Sequence, residues 1–190
     1  MDYYIRQASA NDGHEVSHLI YDAIGEIAHR LTGENTKIKV LEKLTELFKR
    51  TDNRHSYLNT YVAEHKTTNQ ILGIVVLYSG RDGVIFDKNL QNWLTEKNAA
   101  VPFIDSEAHL DEFYIDTLCI HKDARGKGIG TKLLQYAVEV GKSKGFTKLS
   151  LNVDIEKTNA KSLYERLGFT ITEPWTIIDE PFHHMVKIIK

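Results

Sequence analysis

Cysteine is almost missing from this chain: Cys119 stands alone among 190 residues. A lone thiol cannot close an internal disulfide, which excludes a disulfide-built fold and points to a reducing compartment. Proline is scarce as well, at 102, 174 and 181 only, so nearly the whole chain is free to enter helices and strands. No apolar run approaches the ~20 residues that cross a bilayer, and the opening MDYYIRQASANDG has no apolar signal core. The expectation is a cytoplasmic protein without a membrane partner. Charge of one sign is lacking too: 24 Lys and Arg against 26 Asp and Glu give a net −2, which argues against nucleic acid as the main partner. Repeats, low-complexity tracts and linkers do not occur. Residues 1–190 are therefore expected to form a single domain, large enough for a substantial core.

What is present falls into an orderly series. Tyr3–Gln7 is a strand candidate, followed by turn and helix-start residues 8–13. Val16, Leu19, Ile20, Ala23 and Ile27 recur at helical spacing and predict a helix over 14–28, broken by Gly33-Glu34-Asn35. A second helix is predicted with Ile38, Leu41, Leu44, Leu47 and Phe48 on one stripe. TYVAEH at 60–65 and ILGIVVLY at 71–78 predict an antiparallel pair around the polar turn 66–69. Residues 80–111 read as an irregular connection, long enough to expect a role in function. Later come strand candidates at 112–120, 149–153, 169–172 and 183–189.

Between the strand at 112–120 and a periodic helix at 129–140 lies Arg125-Gly126-Lys127-Gly128-Ile129-Gly130, followed by Thr131. Glycines at alternate positions let the backbone approach a ligand closely. The helix start adds free N–H groups and the positive end of its dipole. Arg125, Lys127 and Lys132 add full charges, so the turn suits a pyrophosphate. Its G-x-G-x-G spacing differs from the G-x-G-x-x-G of dinucleotide folds, and no Gly-Lys-Ser/Thr follows at the interval of a nucleotide phosphate loop. On the last helix, Asn159 is a candidate N-cap and Gly168 falls at C′.

RGKGIG after an apolar strand, then a strand, then NAKSLYERLGF resembles the GNAT superfamily of acyl-CoA-dependent N-acyltransferases. Arg125, Gly128 and Gly130 meet its loop pattern, and Asn159 and Tyr164 match its last-helix asparagine and tyrosine. The close resemblance covers 112–169, about a third of the chain. It implies a mixed α/β fold with a mostly antiparallel sheet, splayed between the fourth and fifth strands and flanked by helices. It implies acetyl-CoA as co-substrate, its pantetheine arm along Leu118, Cys119 and Ile120 and its pyrophosphate on Arg125, Gly126, Lys127, Gly128, Ile129, Gly130 and Thr131, with Asn159 and Tyr164 completing the cofactor site. The implied reaction is direct acetyl transfer to an amine through a ternary complex, with Tyr164 as acid to the leaving thiolate and no role for a nucleophilic Cys119.

The base is less defined. Many family members carry glutamate where this chain has Tyr114. Strict strand alternation would put Glu112, Tyr114, Asp116, Leu118 and Ile120 on one face, making Asp116 the first candidate and Glu112 the second. Asp105, Glu107, Asp111 and Glu112 form an acidic run that would favour a cationic amine; the family resemblance implies residues 28–35 as the opposite wall. One alternative is a non-catalytic acyl-CoA-binding or sensing domain, and the oligomeric expectation is monomer or homodimer. His14-Glu15-Val16-Ser17-His18 matches H-E-x-x-H, yet helical spacing turns both histidines away from the apolar stripe, toward water. No metal site is expected. Of the adjacent His183 and His184, one must face inward; Trp93 and Trp175 are expected as packing anchors.

Overall fold

The computed structural model describes residues 2–190. Seven strands form one sheet: β1 (Tyr3–Gln7), β2 (Thr60–His65), β3 (Ile71–Ser79), β4 (Phe113–Ile120), β5 (Lys148–Asp154), β6 (Thr170–Ile177) and β7 (Glu180–Ile188), in the order β1-β2-β3-β4-β5-β7-β6. Every neighbouring pair is antiparallel except β4 and β5. That parallel pair is registered only at Phe113–Leu149, Tyr114–Ser150 and Ile115–Leu151, after which the strands part. The splay between the fourth and fifth strands is where the sequence resemblance implied it.

Helices cover both faces. On one, α1 (Gly13–Ile24) and α3 (Lys37–Lys49) bury Val16, Leu19, Ile20, Val40, Leu44 and Phe48 against Val62, Ile74 and Cys119. On the other, α5 (Ile129–Ser143) brings Ile129, Leu133, Leu134 and Ala137 onto Val75, Phe113, Ile115 and Leu151, joined by α6 (Thr158–Arg166) through Ala160, Leu163 and Tyr164.

Several sequence expectations need correction. The helix predicted over 14–28 breaks at Gly25, which takes φ 52°, and resumes as α2 (Glu26–Thr32). Ile38 is 72% exposed rather than on the buried stripe of α3, where Val40 takes its place. Residues 80–96 are not irregular but form α4 (Gly80–Glu96), leaving 97–112 as the loop. Helix α5 does not fray at Gly141, which packs beneath Phe113 and Ile189. Asn159 lies inside the first turn of α6, whose N-cap is Lys157.

The largest correction concerns β4. In its pairing with β3, Val76 faces Thr117 and Leu77 faces Ile115, so Asp116 is an extra residue in a bulge. The alternation resets there. Phe113, Ile115, Leu118 and Ile120 lie on the α5 side, whereas Tyr114 and Cys119 lie on the opposite one. Asp116 therefore does not share a face with Leu118 and Ile120.

Candidate active site

Where β4 and β5 part, a cleft of about 970 Å³ opens. Its walls come from residues 116–120 of β4, Asn152–Asp154 of β5, the α1–α2 corner at 22–27, Tyr164 on α6, and the β6–β7 turn around Ile178. Arg125 lies at its edge. Of the wall expected from 28–35 only Leu31 lines the cleft, beside the Gly25 break at 22–27, while Thr32, Gly33, Glu34 and Asn35 line a separate, smaller cavity.

The glycine turn begins as a short 3-10 turn, Lys122–Ala124, and reaches α5 through Gly126 at φ 73° and Gly128 at φ 77°. Both glycines face open space, so their left-handed backbone, and not crowding, requires the missing side chain. The first hydrogen bond across the helix start runs from Lys132 N–H to the Gly128 carbonyl at 3.1 Å. N–H groups ahead of it stay outside the helical ladder, and Gly128 has no side chain to cap them. Arg125 and Lys127 are exposed beside them. This donor set fits a diphosphate.

Tyr164 is half-buried on the cleft wall, its ring 5.9 Å from that of Phe169 in a T-shaped contact. Burial pushes its hydroxyl up to about 12, so at neutral pH it is a donor. The Cys119 side chain points away from α5; burial first, then the Asp22 charge, push its thiol up to about 11. Negligible thiolate forms there at neutral pH, which disfavours a covalent intermediate on Cys119.

Along one wall of the cleft lies a charge cluster that the sequence did not announce. Arg54, 1% exposed, lies in the segment between α3 and β2. Its guanidinium contacts three carboxylates: Asp87 of α4 at 2.5 Å, Glu107 of the loop, and Asp116 of the bulge at 3.4 Å. It also donates to the Asp105 carbonyl at 3.2 Å and lies over the Tyr78 ring at 5.9 Å. His55 Nε2 sits 3.0 Å from Asp116 Oδ1, but the ring is turned so that no well-aligned hydrogen bond forms. Tyr78 donates to Asp116 at 2.8 Å, and the Thr117 hydroxyl does so at 2.8 Å. Burial alone would raise Asp116, but His55 and Arg54 hold it well below the usual carboxylate range. A carboxylate so stabilised is a weak base.

Glu112, the second sequence candidate, is not on the cleft wall. It is 2% exposed and accepts from Ser150 Oγ at 2.8 Å, from His109 N–H at 3.0 Å and from His184 Nε2 at 3.1 Å. The acidic run is likewise dispersed. Asp111 pairs with Lys148 at 2.6 Å, Asp105 accepts from Ile178 N–H at 2.9 Å, and only Glu107 of the four lines the cleft. His184 is the inward histidine of its pair, bonded to Asn152 Oδ1 at 2.7 Å behind the cleft wall. His14 and His18 face water with rings 5.2 Å apart, and Glu15 accepts from Ile71 N–H at 3.2 Å. Arg54, His55 and Asp87 carry no sequence signal: they are isolated polar residues brought together only by the fold.

Comparison with known proteins agrees with this fold. The profile described as the acetyltransferase (GNAT) family matches residues 24–169. N-alpha-acetyltransferase 30 of Schizosaccharomyces pombe (strain 972 / ATCC 24843) is 45% identical over 56 residues, 30% of this chain. That match spans only 37% of the yeast protein's length. A solved acetyltransferase structure superposes with a TM-score of 0.81 at 30% identity, covering 98% of this chain and 100% of that one. An N-acetyltransferase from Staphylococcus aureus Mu50 gives 0.79 at 26% identity, covering 96% and 99%.

Proposed function

The chain belongs to the GNAT family of acetyltransferases, and on that premise we propose that it transfers acetyl from acetyl-CoA directly to a cationic primary amine in a ternary complex. The observation that carries this reading is one continuous cleft. It joins the edge of the glycine turn at Arg125, the β4 backbone freed from β5, Tyr164, and a wall holding Glu107 and Asp116.

Acetyl-CoA supplies an activated thioester, and this chain's residues would hold it. The turn's N–H groups with Arg125 and Lys127 take the diphosphate. The β5-facing edge of residues 116–120, lacking a strand partner, takes the amide-bearing arm. Backbone N–H groups on that edge are also positioned to polarise the carbonyl. At about 12, the Tyr164 hydroxyl stands some 3–4 pH units above an ordinary thiol of about 8.5. Complete proton transfer to a thiolate would therefore be uphill by about 5 kcal/mol. Tyr164 is better described as a strong hydrogen-bond donor to the departing sulfur, whose proton ultimately derives from the amine.

The carboxylate wall favours a positively charged acceptor. Around Arg54 three carboxylates meet one guanidinium, an excess of negative charge that a low-dielectric cleft would project onto an entering ammonium. The test is an amine panel with thiol detection, comprising peptide α-amines, lysine side chains, polyamines and aminoglycosides, alongside uncharged hydroxylated controls. Acetyl-CoA-dependent thiol release with cationic amines is expected. Tight acetyl-CoA binding with no release across the panel would instead identify a non-catalytic acyl-CoA-binding domain.

A further inference from the structure

Tyr114 occupies the β4 position at which many members of the family carry a glutamate, and the structure supplies a carboxylate from elsewhere. The loop 97–112 folds back over the splay so that Glu107 Oε2 accepts from the Tyr114 hydroxyl at 2.8 Å. We propose that Glu107 is the general base of the reaction, taking a proton from the acceptor ammonium, and that Tyr114 orients its carboxylate. This rests on the N-acetyltransferase reading above.

Glu107 and Tyr114 both line the cleft, and Glu107 is only 9% exposed, so it borders the cavity while being shielded from bulk water. Its position is fixed from several sides. Arg54 binds Oε1, Asn152 Nδ2 donates to the Glu107 carbonyl at 2.9 Å, and Trp175 Nε1 donates to the neighbouring Ser106 carbonyl at 2.9 Å. Both carboxylate oxygens are engaged by one donor each, which leaves lone pairs for a third.

Electrostatics separates Glu107 from its neighbours. The charged and titratable groups facing it are Arg54, Asp116, Tyr114 and Tyr78, with Asp87 and His55 one contact further away. Burial raises Glu107 above the usual carboxylate range; Arg54 opposes this, and the Asp116 charge adds to it. Asp116 moves the other way. Two carboxylates that share Arg54 are thus driven apart, and the raised one is better matched to accepting a proton at neutral pH.

Balance is simple. The ammonium gives one proton to the Glu107 carboxylate and becomes a neutral amine. As its nitrogen bonds to the acetyl carbon, the carbon–sulfur bond breaks; the second amine proton ends on sulfur, and Glu107 releases its proton to solvent.

The experiment is the pH profile of kcat/KM for wild type, Glu107→Gln and Tyr114→Phe, with the best acceptor from the amine panel, and with acetyl-CoA affinity and thermal melting measured in parallel. Glu107→Gln should lose about 10²–10⁴-fold in kcat/KM at neutral pH while keeping acetyl-CoA affinity and a cooperative melt. Its acidic limb should be replaced by a unit-slope rise toward the free amine's own pKa. Tyr114→Phe removes a donor that favours the ionised carboxylate, so the limb should move to higher pH. An unchanged limb in Glu107→Gln, or a loss equal at all pH values, overturns the inference and leaves the acetyltransferase reading intact. A wild type that acetylates no amine overturns both.

Discussion

A hydroxyl held at about 12 remains protonated throughout the physiological range, so in the proposed transfer Tyr164 would have one service to offer a departing thiolate, a hydrogen bond. Bonds to a charged partner contribute about 1.5–3 kcal/mol. Tyr164→Phe should therefore lower kcat by roughly 10–100-fold and leave acetyl-CoA affinity nearly unchanged, as equilibrium binding beside steady-state kinetics would show. A larger fall in affinity than in kcat would make the ring a packing element of the cofactor pocket. The glycine turn was legible in the sequence because its features are local, alternate glycines before a helix start, and Asn159 and Tyr164, singled out by the family resemblance, do line the cleft. Glu107 was visible only as part of an acidic run. What distinguishes it from Asp105, Asp111 and Glu112 is the partner each finds across the fold, namely Arg54 and Tyr114 against Ile178 N–H, Lys148 and His184. Spacing along the chain does not contain that difference.

At the level of elements, the loop 97–112 matters because it carries Glu107, and it is latched to the β6–β7 hairpin. His109 Nε2 lies 2.7 Å from Glu173 Oε1, and Trp175 stacks on His184 at 4.6 Å while donating to Ser106. At the other flank Gly80 opens α4 with the His109 carbonyl so close that an added Cβ would lie 1.9 Å from it. A side chain there would push the loop away. The bond to Glu173 raises His109 above the ordinary imidazole value, so its contribution is complete below about 6.5 and is lost as pH climbs through the raised value. The Trp175 indole N–H resonance should follow that titration in a pH series of NMR spectra, and His109→Gln should abolish the dependence; a signal insensitive to pH in the wild type would show that the latch is held by Trp175 and His184 alone. Helix α4 escaped sequence reading for a related reason. In its first turns the pattern is inverted, with Asp87 buried on Arg54 while Val84 and Ile85 are 51% and 58% exposed. Only the later turns, where Leu90, Trp93 and Leu94 are buried, carry a helical hydrophobic period. The bulge at Asp116 is the same kind of omission, since one inserted residue reverses a face without altering composition.

Across the whole molecule, Arg54 connects parts that are distant in sequence: α4 through Asp87, the loop through Glu107 and the Asp105 carbonyl, and the splay point of the sheet through Asp116. The fold class came from the family resemblance over 112–169, and the order of strands and helices, which survives as a one-dimensional pattern, fitted it. The polar centre was not readable, because a buried cation is recognised only by the anions that tertiary structure delivers to it. That architecture makes a strong prediction about stability. Arg54→Met keeps much of the side-chain volume but leaves Asp87, Glu107 and Asp116 buried without their shared counter-charge, and breaking such a cluster costs about 3–5 kcal/mol. Burial already raises Asp87 and Glu107, and without Arg54 both should rise further. Acids whose folded-state values are raised contribute most when protonated and lose that contribution as pH climbs through the raised values. The deficit of Arg54→Met should therefore be largest near pH 7.5 and shrink toward pH 5.5, measured as the difference in denaturant midpoint from wild type at each pH. A deficit that stays constant across that range would assign Arg54 a packing role and leave the three carboxylates without the mutual repulsion on which the cationic-acceptor reading depends.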